Sequence, residues 1–318
     1  MRALFVACAL ALLSTATAAQ TYPTKQITII VGYAPGAASD LLARTIGDSL
    51  TKVWGQPAIV DNRAGAGGNV AAAFVARAPA DGYTIMVGTD AMLTSNIYLY
   101  KNLGFDPLKD FAPITKAADN IIVLAVNANL PATNMAELIA YAKANPGKLS
   151  FGSAGLGSPH HLAGELLKQK AGIEITHVPY KGGGVAVNDL LGGHIPMAFL
   201  SLSSAVPALP TGKIRLIATV EKTRYTGMPD LPTIGETVTG FEMSSWVGFF
   251  APAATPQTII ARLNEQITKA LHAAAVKDKM APLGLAAIGS TPQELSDTVT
   301  EGLAVRGRLI KAAGIEAE

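Results

Sequence analysis

The sequence predicts an α/β protein built from two lobes. Signals for β-strands and α-helices alternate along the chain, which is typical of parallel sheets covered by helices. This alternation restarts near the middle of the 318 residues, and the chain is long enough for two domains of ~150 residues each. We therefore expect a first lobe made of residues 20–121 and 224–318, and a second lobe made of residues 122–223.

The first 19 residues have the composition of a secretory signal peptide. Arg2 is the only charged residue among them, an apolar run extends from Leu4 to Leu13, and small residues follow up to Ala19. The apolar run is shorter than the ~20 residues that a membrane-spanning helix needs. We therefore predict cleavage after Ala18 or Ala19 and a mature protein in the periplasm. Cys8, the only cysteine in the sequence, would leave with the signal.

The first α/β unit begins with a β-branched strand and continues through two helices and two further strands. We expect strands at 27–31, 58–60 and 83–88, a helix from about 39 onward, and a helix at 70–77. Ser39 or Asp40 is expected to cap the first helix, because either side chain can accept a hydrogen bond from a backbone N–H. The order predicts a parallel sheet with helices on its faces.

The second unit repeats this order of elements, and the last hundred residues are mostly helical. Expected strands are 121–126, 149–152, 175–178, 195–199 and 214–220; expected helices are 135–144, 160–171 and 184–191. After a strand at 246–251 we expect a long helix at 256–275 and a final helix capped by Thr291. This C-terminal section is predicted to return and cover the first lobe.

Charge argues against nucleic acid as a partner. The full chain has 25 basic and 23 acidic side chains, without a run of lysine or arginine, whereas nucleic-acid binding depends on a basic surface. No segment after the signal has the ~18 consecutive apolar residues of a membrane span. We expect a monomer that uses no metal and no cofactor.

Three glycine-rich loops, at residues 32–40, 65–69 and 152–158, each follow a strand and precede a helix. Helix N-termini present unpaired N–H groups and a partial positive charge, so they readily bind anions. Any one loop could be a tight turn alone. Three loops shared by two lobes favour a ligand-binding cleft.

The common catalytic and cofactor motifs fail in detail. Val70 stands where a dinucleotide-binding fingerprint needs glycine or alanine, and no Gly-Lys-Ser/Thr follows any glycine loop. Phe151 stands where a nucleophile elbow around Ser153 needs glycine. His161 and Glu165 could share a metal, but because a third ligand is missing we expect His161 to bond the preceding loop. A secreted α/β hydrolase or transferase that uses Ser153 is the alternative function.

Several longer motifs follow one another in order along nearly the whole mature chain. They are Asn62-Arg63-x-Gly65-x-Gly67-Gly68-Asn69, Pro79-x-Asp81-Gly82-Tyr83-Thr84, Asp106-Pro107-x-x-Asp110-Phe111-x-Pro113-Ile114, Ala144-Asn145-Pro146-Gly147-Lys148-Leu149, Gly152-Ser153-Ala154-Gly155-x-Gly157-Ser158, His161-Leu162-Ala163-Gly164-Glu165, His177-Val178-Pro179-Tyr180-Lys181-Gly182 and Trp246-x-Gly248. In these motifs the chain resembles the Bug family of tripartite tricarboxylate transporter receptors.

The resemblance implies a two-lobed Venus-flytrap fold, similar to the type II periplasmic binding proteins, that captures a small carboxylate. It implies membrane transporter subunits or a sensor kinase as partners. It also implies that a loop from each lobe holds the carboxylate through backbone amides, hydroxyls and ordered water. On this chain the implied ligand-binding residues are Tyr33, Gly36, Ala37, Ala38, Ser39, Asp40, Gly67, Asn69, Asp90, Ser153, Ala154, Gly155, Gly157, Ser158, His161, Tyr180 and Ser201.

Three residues depart from the family pattern. Ala37 replaces a usual glycine, Asp90 a usual small hydroxyl residue, and Ser201 an acidic residue that some members carry. We hypothesise that Ser201 disfavours an amino-acid ligand, because the anion suited to a ligand ammonium is missing. In a competing interpretation Asp90 supplies that anion, and in a third Asp90 is an outward-facing loop residue. Tyr33 is expected either to stack on the ligand or to close the cleft.

Overall fold

The computed structural model describes residues 22–180, 182–241 and 243–317. The predicted signal peptide, with its cleavage site and Cys8, lies outside the described residues. Within these three ranges, no helix is both long and apolar enough to cross a membrane.

The first sheet has six strands in the order β11-β4-β10-β3-β1-β2. Its strands are β1 (Ile27–Val31), β2 (Ala58–Asn62), β3 (Thr84–Thr89), β4 (Phe111–Asn120), β10 (Trp246–Pro252) and β11 (Leu285–Ala287). β1 pairs in parallel with β2 and β3, as predicted. β10 runs antiparallel between β3 and β4 and so brings the C-terminal section into this sheet.

The second sheet has five strands in the order β7-β6-β8-β5-β9. Its strands are β5 (Ile122–Asn127), β6 (Leu149–Ser153), β7 (Ile175–Pro179), β8 (Met197–Ser201) and β9 (Ile214–Thr219). β6 is parallel to β7 and β8, whereas β5 is antiparallel to both of its neighbours. All strands of this sheet come from residues 122–219, which agrees with the expected second lobe, although the lobe boundaries themselves stay a prediction.

Helices cover both sheets. They are α1 (Ala38–Trp54), α2 (Asn69–Ala76), α3 (Asn96–Leu99), α4 (Met135–Ala144), α5 (Pro159–Ala171), α6 (Gly183–Gly192), α7 (Leu202–Ala205), α8 (Gln257–His272), α9 (Ala274–Met280) and α10 (Pro292–Ala312). Apolar side chains pack on both faces of each sheet. In α1, for example, Leu42, Ile46 and Leu50 repeat at helical spacing and are fully buried against the first sheet.

Several sequence predictions are confirmed and others are corrected. Thr291 caps α10 through a reciprocal pair of hydrogen bonds with Glu294, as predicted. The predicted side-chain cap of α1 was wrong: Ala37 precedes the helix without a capping side chain, and Asp40 lies inside its first turn. The expected helix at 256–275 divides at Ala273, which is extended, into α8 and α9.

β4 is absent from the sequence prediction. Its burial does not alternate, because the pairing of β10 with β4 shifts register twice and so places successive residues on the same face. A search for alternating apolar residues therefore passes over it.

Only Ile121 separates β4 of the first sheet from β5 of the second. Its N–H donates to the carbonyl of Gly284, and its carbonyl accepts from the N–H of Leu202. Close by, the Glu221 carboxylate accepts a hydrogen bond from the Ile122 N–H at 3.0 Å. The sheets are thus joined at this point by one short, hydrogen-bonded segment of chain.

Candidate functional site

A cleft of about 520 Å³ lies where loops from the carboxyl ends of strands in both sheets meet. It is lined by Tyr33, Ala37, Ala38, Ser39, Gly67, Thr89, Asp90, Ala91, Asn96, Leu99, Tyr100, Asn120, Ala154, Leu156, Gly157, Ser158, Pro159, His160, Gly182, Gly183, Ser201, Ser204, Ser245, Trp246, Val247, Leu285 and Glu316. None of these described lining residues is a lysine or an arginine. An anion in the cleft would therefore rely on neutral donors.

Three helices begin at the cleft: α1 after Ala37, α5 after Ser158 and α6 after Gly182. Ser158 caps α5 by accepting the N–H of His161. By contrast, α1 and α6 have no capping side chain. Their first N–H groups and their positive dipole ends are consequently available to a ligand, which suits a carboxylate.

The loop between β1 and α1 contributes Tyr33, Ala37, Ala38 and Ser39 to the lining. The Tyr33 hydroxyl lies 3.0 Å from Thr89 Oγ1 and donates to the carbonyl of Gly67 at 3.3 Å. Burial raises the pKa of Tyr33 to about 12, so this hydroxyl keeps its proton. Tyr33 thus lines the cleft and also ties three of its loops together.

Ala37 fits this loop without strain. Its φ of −64° and ψ of 155° are ordinary extended values, which alanine adopts as readily as glycine. The neighbouring Gly36, with a φ of 85°, has the conformation that favours glycine. The replacement of a usual glycine by Ala37 therefore needs no change of the backbone.

Asp40 holds the loop from behind and is not part of the lining. Its carboxylate accepts hydrogen bonds from the Gly36 N–H, from Asn62 and from Arg44, at 2.9 to 3.0 Å. Burial alone would raise the pKa of Asp40, but these hydrogen bonds outweigh it and lower the pKa. The carboxylate is therefore fully occupied by the protein.

The loop after β2 reaches the cleft through Gly67. The Asn96 side-chain amide donates to the Gly67 carbonyl at 3.2 Å and to Asn69 Oδ1 at 2.6 Å. Asn96 itself lines the cleft, whereas Asn69 lies behind it. Asn96 was not predicted from the sequence. It follows a π-helical turn at residues 91–95, and no sequence motif predicts this turn.

Asp90 lines the cleft at the end of β3 and is 2 % exposed. Its Oδ2 lies 2.9 Å from Arg306 Nη2, and its Oδ1 accepts from Ser245 at 3.3 Å. Arg306 also donates to the carbonyl of Ser244. Burial raises the pKa of Asp90, and the Arg306 guanidinium only partly offsets this effect. The outward-facing interpretation of Asp90 is therefore wrong, and its charge is already paired.

Ser153 is fully buried at the end of β6, outside the lining. Its Oγ lies 2.7 Å from Nε2 of His177 on the neighbouring strand β7. Burial, with a smaller contribution from the adjacent His161, lowers the pKa of His177 to about 4. A substrate in the cleft would not reach this serine, so the geometry gives a Ser153 nucleophile no support.

His161 bonds the loop, as expected from the sequence. Its Nδ1 accepts the Gly157 N–H at 3.0 Å, and its ring stacks on His177 with centroids 3.7 Å apart. Its Nε2 lies 3.7 Å from Glu165. Among the residues that the structure describes, no three histidine, cysteine or acidic side chains come together as metal ligands.

Ser201 and His160 meet on the second-sheet side of the cleft, and both line it. Ser201 Oγ lies 3.2 Å from His160 Nε2. Burial lowers the pKa of His160 to about 4, so the imidazole is neutral at pH 7. The sequence placed His160 on a different helix face from His161 but gave no sign that this face borders the cleft.

Ten of the residues predicted from the sequence line the cleft and seven lie outside the lining. The lining residues are Tyr33, Ala37, Ala38, Ser39, Gly67, Asp90, Ala154, Gly157, Ser158 and Ser201; those outside it are Gly36, Asp40, Asn69, Ser153, Gly155, His161 and Tyr180. The Tyr180 hydroxyl, for example, donates to Asp189 at 2.7 Å. Gly183 was missed although its signal, three glycines before a helix, resembles that of the loops that were found.

Comparisons with known proteins identify the relatives of this fold. The chain is 33% identical to protein BugT of Bordetella pertussis over 298 residues, which are 93% of this chain and 91% of BugT. It resembles R. palustris Rpa4515, solved with adipate, at 37% identity and a TM-score of 0.82, covering 93% of this chain and 100% of that one. It also resembles MatC from Rhodopseudomonas palustris, solved with bound malate, at 30% identity and a TM-score of 0.75, covering 91% and 100%.

These likenesses extend over nearly the whole chain and confirm the predicted two-lobed α/β fold of the periplasmic binding proteins. Residues 42–315 match the TctC family, described as the tripartite tricarboxylate transporter family receptor. The chain therefore belongs to the tripartite tricarboxylate transporter receptor family, a family of solute-binding receptors that includes the Bug proteins.

Proposed function

We propose that this receptor captures a small organic carboxylate in the cleft between the two sheets and performs no chemistry on it. It works in the periplasm as a monomer and passes the ligand, or the signal of its binding, to membrane transporter subunits or a sensor kinase. Closure of the two lobes around the ligand is the working motion.

The observation that carries this proposal is the convergence of helix N-termini. α1, α5 and α6 all begin at the same cleft, and α1 and α6 have no capping side chain. Such ends favour an anion over a neutral or cationic solute. Two relatives of at least 30% identity hold adipate and malate, which are both carboxylates.

A thermal-shift screen of refolded, ligand-free protein tests the proposal. The screen covers di- and tricarboxylates, aromatic acids, amino acids and the neutral amide of each acid. A ligand present at 100 times its dissociation constant stabilises the folded state by ~2.7 kcal/mol, which raises the melting temperature visibly. We expect a shift with an acid that its amide does not produce. A response only to esters, nucleotides or metals would reject the proposal.

Gly183 offers a test of where the ligand binds. An added Cβ at Gly183 would have Ser204 Oγ as its nearest atom, at 3.3 Å, so a short side chain fits with little adjustment. Gly183→Asp places a negative charge at the start of α6 inside the cleft, and we expect it to abolish carboxylate binding. The helix itself should tolerate it, because acidic residues are favourable in a first turn.

Two matched variants complete this test. Gly183→Asn has nearly the same shape without the charge, and we expect it to retain measurable binding. Gly184→Asp adds the same charge one residue further, at an exposed position outside the lining where a Cβ meets nothing within 4 Å. It should bind as the native protein does. Equal binding by Gly183→Asp and Gly184→Asp in calorimetry would place the ligand elsewhere.

A further inference from the structure

The last helix, α10, connects the cores of the two sheets. Leu295, Val299 and Leu303 are buried in a cluster with side chains of the first sheet. Leu309 and Ile310, near the end of the helix, are buried in a cluster with side chains of the second sheet. The end of α10 is therefore packed against the second sheet and its helices.

A Schellman motif ends α10 and fixes the direction of the chain after it. Gly314 has a φ of 65°, and its N–H donates to the carbonyl of Lys311 at 3.2 Å. The N–H of Ile315 donates to the carbonyl of Ile310 at 3.1 Å, and Ile315 packs against the second-sheet cluster. These two hydrogen bonds, with an apolar residue after the glycine, define the motif. The backbone that leads into Glu316 is therefore held in place.

Glu316 is an exposed residue that lines the cleft. Asp90 is the other acidic residue of the described lining, but it is paired with Arg306. The Glu316 carboxylate, in contrast, has no hydrogen bond or ion pair with another described residue. Since the described lining contains no lysine or arginine, Glu316 brings an uncompensated negative charge to a cleft suited to anions.

This charge opposes the attraction of the helix N-termini. The positive ends of α1 and α6 attract each carboxylate of a ligand, whereas Glu316 repels each one. Two like charges about 10 Å apart in a partly solvated cleft lower an affinity about two- to tenfold. Because every negative charge of the ligand is repelled, the loss of affinity increases with the number of its carboxylates.

We propose that Glu316 is a specificity-determining residue that limits the negative charge of the ligand, so that it disfavours tricarboxylates most and monocarboxylates least. The inference rests on the proposed function and adds a limit on ligand charge. It makes the chain after α10 part of the binding site, together with the loops that follow the strands.

Calorimetry at pH 7.5 and 0.01 M salt tests this limit. The probes are valerate, glutarate and tricarballylate, which carry one, two and three carboxylates on the same five-carbon chain, and the acid with the largest shift in the thermal-shift screen. We expect Glu316→Gln to increase the affinity for glutarate about two- to tenfold, that for tricarballylate by more and that for valerate by less. Glu316 is exposed and follows the last helix, so this variant should fold as the native protein does.

Two matched variants separate charge from shape. Glu316→Asp keeps the charge and should bind every probe as the native protein does. Glu301→Gln removes a negative charge from an exposed position on α10 outside the lining, ~16 Å from the end of that helix. It should leave every affinity within about 1.5-fold of the native value.

Salt supplies a readout that a purely structural role of Glu316 would not change. The Debye length falls from ~30 Å at 0.01 M salt to ~3 Å at 1 M, so the gain from Glu316→Gln should nearly disappear at 1 M. A gain that does not depend on salt or on ligand charge, or an equal or lower affinity of Glu316→Gln, would overturn the inference and leave the proposed function intact. Binding of none of the probes and none of the screened acids by the native protein would overturn both.

Discussion

The two sides of the cleft differ in charge: buried ion pairs lie on the first-sheet side, and neutral polar groups lie on the second-sheet side. On the first-sheet side, Asp90 in the lining and Asp40 behind it are carboxylates paired with Arg306 and Arg44. On the second-sheet side, the imidazoles of His160 in the lining and of His177 behind it are neutral, because burial lowers the pKa of each to about 4. The first wall is therefore sensitive to loss of a charged partner, whereas the second is sensitive to acid.

Breaking the Asp90–Arg306 pair has the largest expected effect. Arg306→Met leaves the Asp90 carboxylate buried without its cation, and we expect the free energy of unfolding to fall by about 3–5 kcal/mol in urea denaturation. Combining it with Asp90→Asn should recover part of this loss. Arg308→Met, exposed on the same helix, is the control and should stay within about 0.5 kcal/mol of the native protein. Similar losses of unfolding free energy in Arg306→Met and Arg308→Met would show that the buried Asp90–Arg306 pair stabilises the fold no more than an exposed arginine does.

Acid should weaken the second-sheet wall. The native pKa of about 4 for His160 and His177 lies below the ordinary 6.5, so between pH 4 and 6.5 the unfolded chain binds more protons. The free energy of unfolding therefore decreases as the pH falls through this window. The double variant with His160→Gln and His177→Gln removes both titrations. Because His177 is only half-buried, solvent reduces its contribution to the pH dependence of the free energy of unfolding.

We expect the difference in free energy of unfolding between the double variant and the native protein to change by on the order of 2–4 kcal/mol from pH 7.5 to 4.5, in favour of the variant. Urea denaturation at several pH values measures it. The exposed His194→Gln gives the baseline. A difference that does not depend on pH would show that these imidazoles are not kept neutral by burial.

Glu221, which lies beside the segment that joins the two sheets, should make the free energy of unfolding depend on pH with the opposite sign. Burial raises the pKa of Glu221 to about 7, and its Oε2 has no hydrogen-bond partner. Between pH 4.5 and 7 the native state binds the extra proton, so the stabilisation by this group is complete at low pH and is lost as the pH rises.

Glu221→Gln does not titrate and keeps an acceptor for the Ile122 N–H. Relative to that of the native protein, its free energy of unfolding should rise by on the order of 1–3 kcal/mol as the pH increases from 5 to 8. Glu265→Gln, at an exposed position, should show no such trend in the same urea series. If the two variants behave alike, the pKa of Glu221 is not raised.

The smallest effect concerns the loop on the first-sheet wall. Ala37→Gly, which restores the usual glycine of the family, should lower the free energy of unfolding by roughly 0.5–1 kcal/mol, because glycine is more flexible in the unfolded chain and Ala37 is unstrained. Gly36→Ala should cost about 1–2 kcal/mol, since its φ is 85° while its Cβ would meet no atom within 4 Å. Stabilisation by Ala37→Gly would reveal strain at that position.

How well the sequence predicted the structure depends on how local the physical signal was. β1 and α4 have the predicted bounds, since each is specified by its own run of apolar residues and by the turns beside it. β4 was missed because its bulged pairing with β10 is set by a strand more than a hundred residues away. The glycine loops were found because φ values such as that of Gly36 require glycine.

The side-chain partners at the site were mostly beyond sequence reasoning. Asp90 and Arg306 lie 216 positions apart, and Ser153 and His177 meet only because β6 and β7 are neighbours in parallel register. No local pattern encodes such contacts. The sequence could therefore indicate which loops form the cleft, but not which of their side chains would face it.

The single residue between the two sheets, Ile121, has a mechanical consequence. Its N–H is held by the loop before β11 and its carbonyl by the start of α7. Closure of the lobes, the motion proposed above, therefore requires the backbone dihedrals beside Ile121 to change, together with those of the return crossing at residues 220–245. A small rotation at these two crossings would give a displacement that increases with distance and is largest at the rim of the cleft. Substitutions at this joint should alter how fast the receptor opens and releases its ligand without touching any atom that the ligand contacts.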